Sequence, residues 1–113
     1  MTRVRKVRQR PNRDANHNEI VDIFENLGGT WLDTSGVGGA LDGLLGVSGI
    51  DQRVEIKDGS KFPSRRRLTK DEETEIQGWR GRSPVIIETV EDAIQLVYKL
   101  RKEARRISSV PLD

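Results

Sequence analysis

The stretch from Thr30 to Lys57 most constrains what this chain can fold into. Thr30-Trp31-Leu32-Asp33-Thr34 reads as a short strand, and Ser35-Gly36-Val37-Gly38-Gly39 as a flexible connection. Ala40 to Val47 reads as a second strand, Ser48-Gly49-Ile50-Asp51 as a turn, and Gln52 to Lys57 as a third strand. Connections this short join neighbouring strands into an antiparallel meander. Such a sheet must bury at least one face, so helices have to come from the flanking segments.

Those segments supply them. Ile20, Phe24 and Leu27 recur at helical spacing, with Val21 and Ile23 widening the stripe, which predicts a helix over Asp14–Leu27. Gly28-Gly29 provides a left-handed stop, and Asn16 with Glu19 is a candidate capping pair. Thr69, with Glu72 at the capping-box position, opens a helix to about Trp79 whose apolar face is thin. Pro84-Val85-Ile86-Ile87 has three aliphatics without alternation and reads as a buried strand. A long helix runs from Val90 to about Arg106, with Ala93, Val97 and Leu100 on one face. The expected fold is an α/β sandwich of order α-β-β-β-α-β-α, a central mixed sheet with helices on both faces. One domain spans 14–106, between an arm at 1–13 and a tail at 107–113.

Composition sets limits. With 113 residues, 34% hydrophobic, 34% charged and 4% aromatic, the chain has one lean aliphatic core. That leanness makes a homodimer, which buries more apolar surface, an expected state. There is no cysteine, which excludes disulfides, thiolate metal sites and cysteine nucleophiles. The single His17 argues against histidine-rich metal sites and a serine–histidine triad. No apolar run is long enough to span a membrane, and the basic start lacks the apolar region of a secretory signal. An intracellular location, in a prokaryote or a phage-infected host, is expected.

The net charge of +2 hides strong local bias. Arg3, Arg5, Lys6, Arg8, Arg10 and Arg13 face no acid within residues 1–13. That arm is expected to be disordered when free and either to attract a polyanion or to act as a solubilising tail. Arg65-Arg66-Arg67 and the stretch from Lys99 to Arg106 are further basic clusters. Guanidinium groups at 65–67, a short loop away from Lys57, suit phosphate contacts.

Side chains alternate along a strand, so Glu55 and Lys57 share one face while Val54 and Ile56 share the other. Asp42 on the adjacent strand brings a second carboxylate, and Gly43 beside it leaves room for a ligand. Two carboxylates on neighbouring strands can hold Mg²⁺, a hard ion that prefers oxygen ligands, with Mn²⁺ as a substitute. Lys57 can then orient a water or neutralise charge on a phosphate. Asp33 with Thr34 and Ser35 reads as the initiator of the glycine-rich turn. Gly36, Gly38 and Gly39 lack the Gly-Lys-Ser/Thr ending of a nucleotide P-loop.

The order of elements and the Asp42, Glu55-Ile56-Lys57 motif resemble the PD-(D/E)xK nuclease superfamily. The nearest flavours are the archaeal-type Holliday-junction resolvases and the phage VRR-NUC domains. The resemblance covers about residues 14–104. It implies a restriction-endonuclease-like fold and an Mg²⁺-dependent endodeoxyribonuclease that acts on branched DNA such as four-way junctions. It implies Glu19, Asp42 and Glu55 as metal ligands, with the carbonyl of Ile56, and Lys57 as a catalytic partner. The literal Pro-Asp is absent. The glutamine that many VRR-NUC relatives carry in the following helix is missing from 68–73, and Gln77 lies a turn further on. Two other readings stay open: a non-catalytic nucleic-acid-binding protein, and a subunit of a phage or mobile-element DNA-processing complex docked through the helix after Thr69.

Overall fold

In the computed structural model the described residues are 14–109. The basic arm, with Arg3, Arg5, Lys6, Arg8 and Arg10, and the tail beyond Ser109 lie outside them. The elements are α1 (His17–Asn26), β1 (Thr30–Asp33), β2 (Gly43–Val47), β3 (Ile50–Ile56), α2 (Lys70–Gly78), β4 (Val85–Ile87) and α3 (Val90–Ser108), with a 3-10 turn at Pro63–Arg65. The chain is α/β, with one open four-stranded sheet in the order β1-β2-β3-β4. The first two pairings are antiparallel and β3–β4 is parallel, so α2 is the crossover between parallel neighbours. No helix among the described residues is long and apolar enough to cross a membrane.

Local chemistry accounts for the boundaries. Gly28 ends α1 at φ 93°. Its N–H bonds Glu25 O at 3.1 Å and that of Gly29 bonds Phe24 O at 2.9 Å, the two bonds of a Schellman stop. The β2–β3 turn is only Ser48-Gly49, both with positive φ, the arrangement a tight two-residue hairpin needs. Val47 therefore pairs directly with Ile50, and β3 begins there rather than at Gln52. At the other end of the hairpin β2 begins at Gly43 rather than Ala40, leaving Asp42 just outside it. Thr69 and Glu72 form the complete capping box expected of them. The expected pairing of Asn16 with Glu19 does not form: Asn16 makes no side-chain cap, and its Nδ2 donates instead to Lys57 O and Glu88 O.

The core lies on one face of the sheet. Ile20 and Phe24 of α1, Ala93, Val97 and Leu100 of α3, and Leu45, Val54 and Ile56 of the sheet are buried together. Each of the larger side chains contributes about 1.5–3 kcal/mol, so α1, α3 and this face carry most of the apolar stabilisation. Trp31 lies across Gly43, where an added Cβ would sit 2.2 Å from the indole ring. The small residue beside Asp42 therefore makes space for Trp31, not for a ligand as its position suggested.

The other face carries Arg53, Glu55 and Lys57, and α2 meets it through charge. None of its nine residues is buried. Glu72 pairs with Lys57 and Glu75 with Arg53, while the Arg53 guanidinium stacks on Trp79 at 4.2 Å. The strand expected to be buried, β4, is instead the sheet edge. Ile87 enters the core while Ile86 remains 41% exposed, because only one of its faces is covered by packed helices.

A candidate acid–lysine site at one end of the sheet

The antiparallel ladder of β2 and β3 ends in side chains. Gly43 pairs with Val54, and the next step would bring Asp42 opposite Glu55. There the carboxylates take over the backbone donors. The Asp42 N–H donates to Glu55 Oε1 at 3.1 Å, and the Ile56 N–H donates to Asp42 Oδ2 at 2.8 Å. The two acids are locked together, and the loop holds Asp42 in turn: the Thr34 N–H donates to Asp42 O at 2.9 Å. Asp33 does start the turn, its Oδ1 accepting the Ser35 N–H.

Lys57 stands beside them, just past the printed end of β3 but still in its ladder, its N–H bonded to Ile87 O at 2.9 Å. Its ammonium lies 2.8 Å from Glu72 and 3.6 Å from Glu55. Glu72 is thus double-purposed. The same Oε1 accepts the Thr69 N–H of the capping box and the Lys57 ammonium. The local signature of Glu72 is only that of a cap, and its reach across the site depends on how α2 crosses the sheet.

Asp14, read as the start of a helix, stands just before α1 and belongs to the same neighbourhood. Its carboxylate acts electrostatically on Asp42 and Lys57 and pairs with Lys61 at 3.7 Å. Asn16 fixes that approach, donating to Lys57 O at 3.1 Å and Glu88 O at 3.0 Å. It ties the entrance of α1 to the ends of β3 and β4, a long-range role with no local signal. Glu19, by contrast, is exposed on α1, and no described hydrogen bond or ion pair joins it to these groups. The acid that the amino-terminal segment brings alongside the site is Asp14. Ile56 is wholly buried, and its N–H is committed to Asp42.

Burial and mutual repulsion reorder the protons. Burial, a hydrogen bond with Glu72 and the charge of Asp42 push the Glu55 carboxyl up to about 9. Burial also pushes Glu72 upward, but hydrogen bonds from Glu55, Lys57 and the Thr69 backbone outweigh it and hold Glu72 at about 2. At neutral pH one proton therefore rests on Glu55 and is shared with an ionised Glu72. Burial raises Asp42, partly offset by the Ile56 N–H, and raises Asp14, partly offset by Lys57 and Lys61. Burial opposes the charge on Lys57, and Glu72 restores it, leaving its pKa raised.

The donors are all oxygen, the kind a hard divalent cation selects. Among the described residues, however, no three acids or histidines are drawn together as a metal-holding group. Asp42 and Glu55 are the interlocked pair, Asp14 stands alongside, and Lys57 is bridged to Glu72. The basic loop flanks this end. Arg66 pairs with Glu88 at 3.1 Å, while Arg65 and Arg67 are exposed. Gly59 packs so close to Glu88 that a Cβ would meet its carbonyl oxygen at 2.8 Å. Comparison of the chain with family models, curated proteins and solved structures finds no match.

Proposed function

We propose that the chain is a metal-dependent endodeoxyribonuclease built on a restriction-endonuclease-like arrangement of its sheet. The observation that carries this reading is the interlock of Asp42 with Glu55 at one sheet end, with Lys57 beside them. Acids that share backbone donors are held in fixed positions, as a phosphodiester hydrolase requires of its ligands. Asp42 and Glu55 would hold Mg²⁺ or Mn²⁺ as an interlocked pair, with Asp14 adding negative charge alongside. Such an ion, when bound, supplies Lewis-acid neutralisation of charge on the phosphate.

The chain's own residues do the rest. Glu55 must release its proton to solvent for the acids to act as ligands. Lys57, freed from Glu72, presents an ammonium to the phosphate or to an attacking water. Lys61, Arg65 and Arg67, on the loop flanking the cluster, are placed to contact the sugar–phosphate backbone. Branched DNA as the preferred substrate, implied by the sequence resemblance, and a homodimer as the working form, expected from the lean core, are part of the proposal.

A second reading has its own observation. Glu55 protonated and Lys57 bridged to Glu72 describe a self-satisfied cluster, which suits a nucleic-acid-binding protein without catalysis. One experiment separates the two. Labelled four-way junction, flap and linear duplex DNA are incubated with the protein in Mg²⁺, Mn²⁺ or EDTA, beside Glu55→Gln and Lys57→Met. Cation-dependent cutting that drops at least about a hundredfold in both variants is expected, the scale of losing a positioned catalytic group. Binding without cutting in any cation rejects the nuclease and leaves the binding protein.

A further inference from the structure

α3 carries a second charged surface, at the end of the molecule away from the acid cluster. Its first residues adjoin the cluster, since Glu88 O accepts bonds from Asn16 and from the Gly59 N–H. Its last turns reach the β2–β3 hairpin turn, where Ser48 lines a cleft with Arg101 and Arg105. From Thr89 to Arg105 the helix axis runs about 24 Å.

Between residues 99 and 106 stand Lys99, Arg101, Lys102, Arg105 and Arg106, against Glu103 alone. Glu103 is neutralised by Arg82 at 2.7 Å. Among the described residues, no ion pair engages the other five cations. They flank the helix on both sides, with Arg101 and Arg105 in one cleft and Lys99, Lys102 and Arg106 beside Arg82 in another. The helix macrodipole favours cations only in the last turn. That accounts for Arg105 and Arg106 but not for Lys99, Arg101 and Lys102.

We propose that this stretch of α3 is a second nucleic-acid contact surface, gripping the sugar–phosphate backbone at a distance from the acid cluster. Residues 99–106 span about 10 Å of axis, the length of about three phosphates along one strand of a duplex. Cations not engaged in ion pairs release condensed counterions when they meet such a backbone, which makes the contact favourable and salt-dependent. The inference rests on a polynucleotide as the substrate and not on cleavage.

The test is the quadruple variant Lys99→Gln, Lys102→Gln, Arg105→Gln and Arg106→Gln, at four exposed positions where glutamine keeps helix propensity. Circular dichroism checks its fold. Binding of a fluorescent duplex is read by anisotropy in EDTA over a range of salt. Each phosphate contact contributes about 0.9 to the slope of log K against log salt, so the variant slope should be shallower by about 2–4, with affinity down at least about tenfold at moderate salt. Equal slopes for variant and wild type overturn the proposal. So does wild-type binding to phosphatidylserine vesicles without binding to duplex. A lost slope with no cleavage by any form upholds this surface and removes the nuclease, while cleavage with an unchanged slope does the reverse.

Discussion

Glu55 is the residue whose chemistry the fold alters most, and its proton has consequences that can be measured. In the unfolded chain it titrates near 4.5, and in the folded chain at about 9. A carboxyl raised in this way stabilises the fold fully below its unfolded pKa, and that contribution is lost as pH rises toward 9. Glu72 runs the other way: held at about 2, its contribution is whole above 4.5 and is lost as pH falls toward 2. Thermal melting in EDTA should therefore weaken steadily from about pH 5 to about pH 9, and Glu55→Gln should flatten that slope. A cation bound by Asp42 and Glu55 must displace the same proton. Its affinity should rise over that range, with proton uptake by buffer seen in calorimetry across buffers of different ionisation enthalpy. Gly43 makes a separate prediction. Gly43→Ala drives a methyl into the Trp31 ring and should cost about 1–3 kcal/mol in denaturant unfolding, an overpacking penalty. At this scale the motif acids were legible, since E-x-K places Glu55 and Lys57 on one strand face whatever the fold. Asp14 and Glu72 were not, because their meeting with Lys57 depends on where two helices start in space.

Among the α-helices, α2 is the one that buries no residue fully. Its sequence announces the helix through Thr69 and Glu72, but its thin apolar stripe finds no core to enter. Two ion pairs and the Arg53–Trp79 stack tie α2 to the sheet, while α1 and α3 are tied by buried aliphatics. Amide hydrogen exchange should show residues 70–78 opening well before β2, β3 and α3, which exchange only on global unfolding. Glu72→Gln weakens the bridge to Lys57 and should speed that opening further. Equal protection across α2 and α3 would disprove the latch. The edge strand β4 teaches the same lesson. Three aliphatics in a row suit burial on both faces, yet one face meets only the polar side of the sheet, and Ile86 stays exposed.

Across the whole molecule, the acid cluster and the cations of residues 99–106 lie toward opposite ends of α3, so the two ends should act independently. Combining Glu55→Gln with the four glutamine substitutions on α3 should change duplex affinity in EDTA by no more than about 0.5 kcal/mol from the sum of the separate effects, as for distant sites without shared partners. A larger deviation would mean that the ends communicate.

Hydrophobic spacing, the glycine stop at Gly28 and the Ser48-Gly49 turn settled the element order and the α/β class from the chain alone, because each is decided by residues near in sequence. The placement of Asp42 against Glu55 followed from strand pairing and so was also within reach. Tertiary structure alone decided that Trp31 would claim the space at Gly43 and that Asn16 would leave its helix to bind β3 and β4. It also decided that Glu72 would cross to Lys57 and that Asp14, not Glu19, would stand beside the acids. Each of these joins groups distant along the chain, and burial, which sets the cost of leaving a charge or an amide without a partner, exists only once the elements have packed.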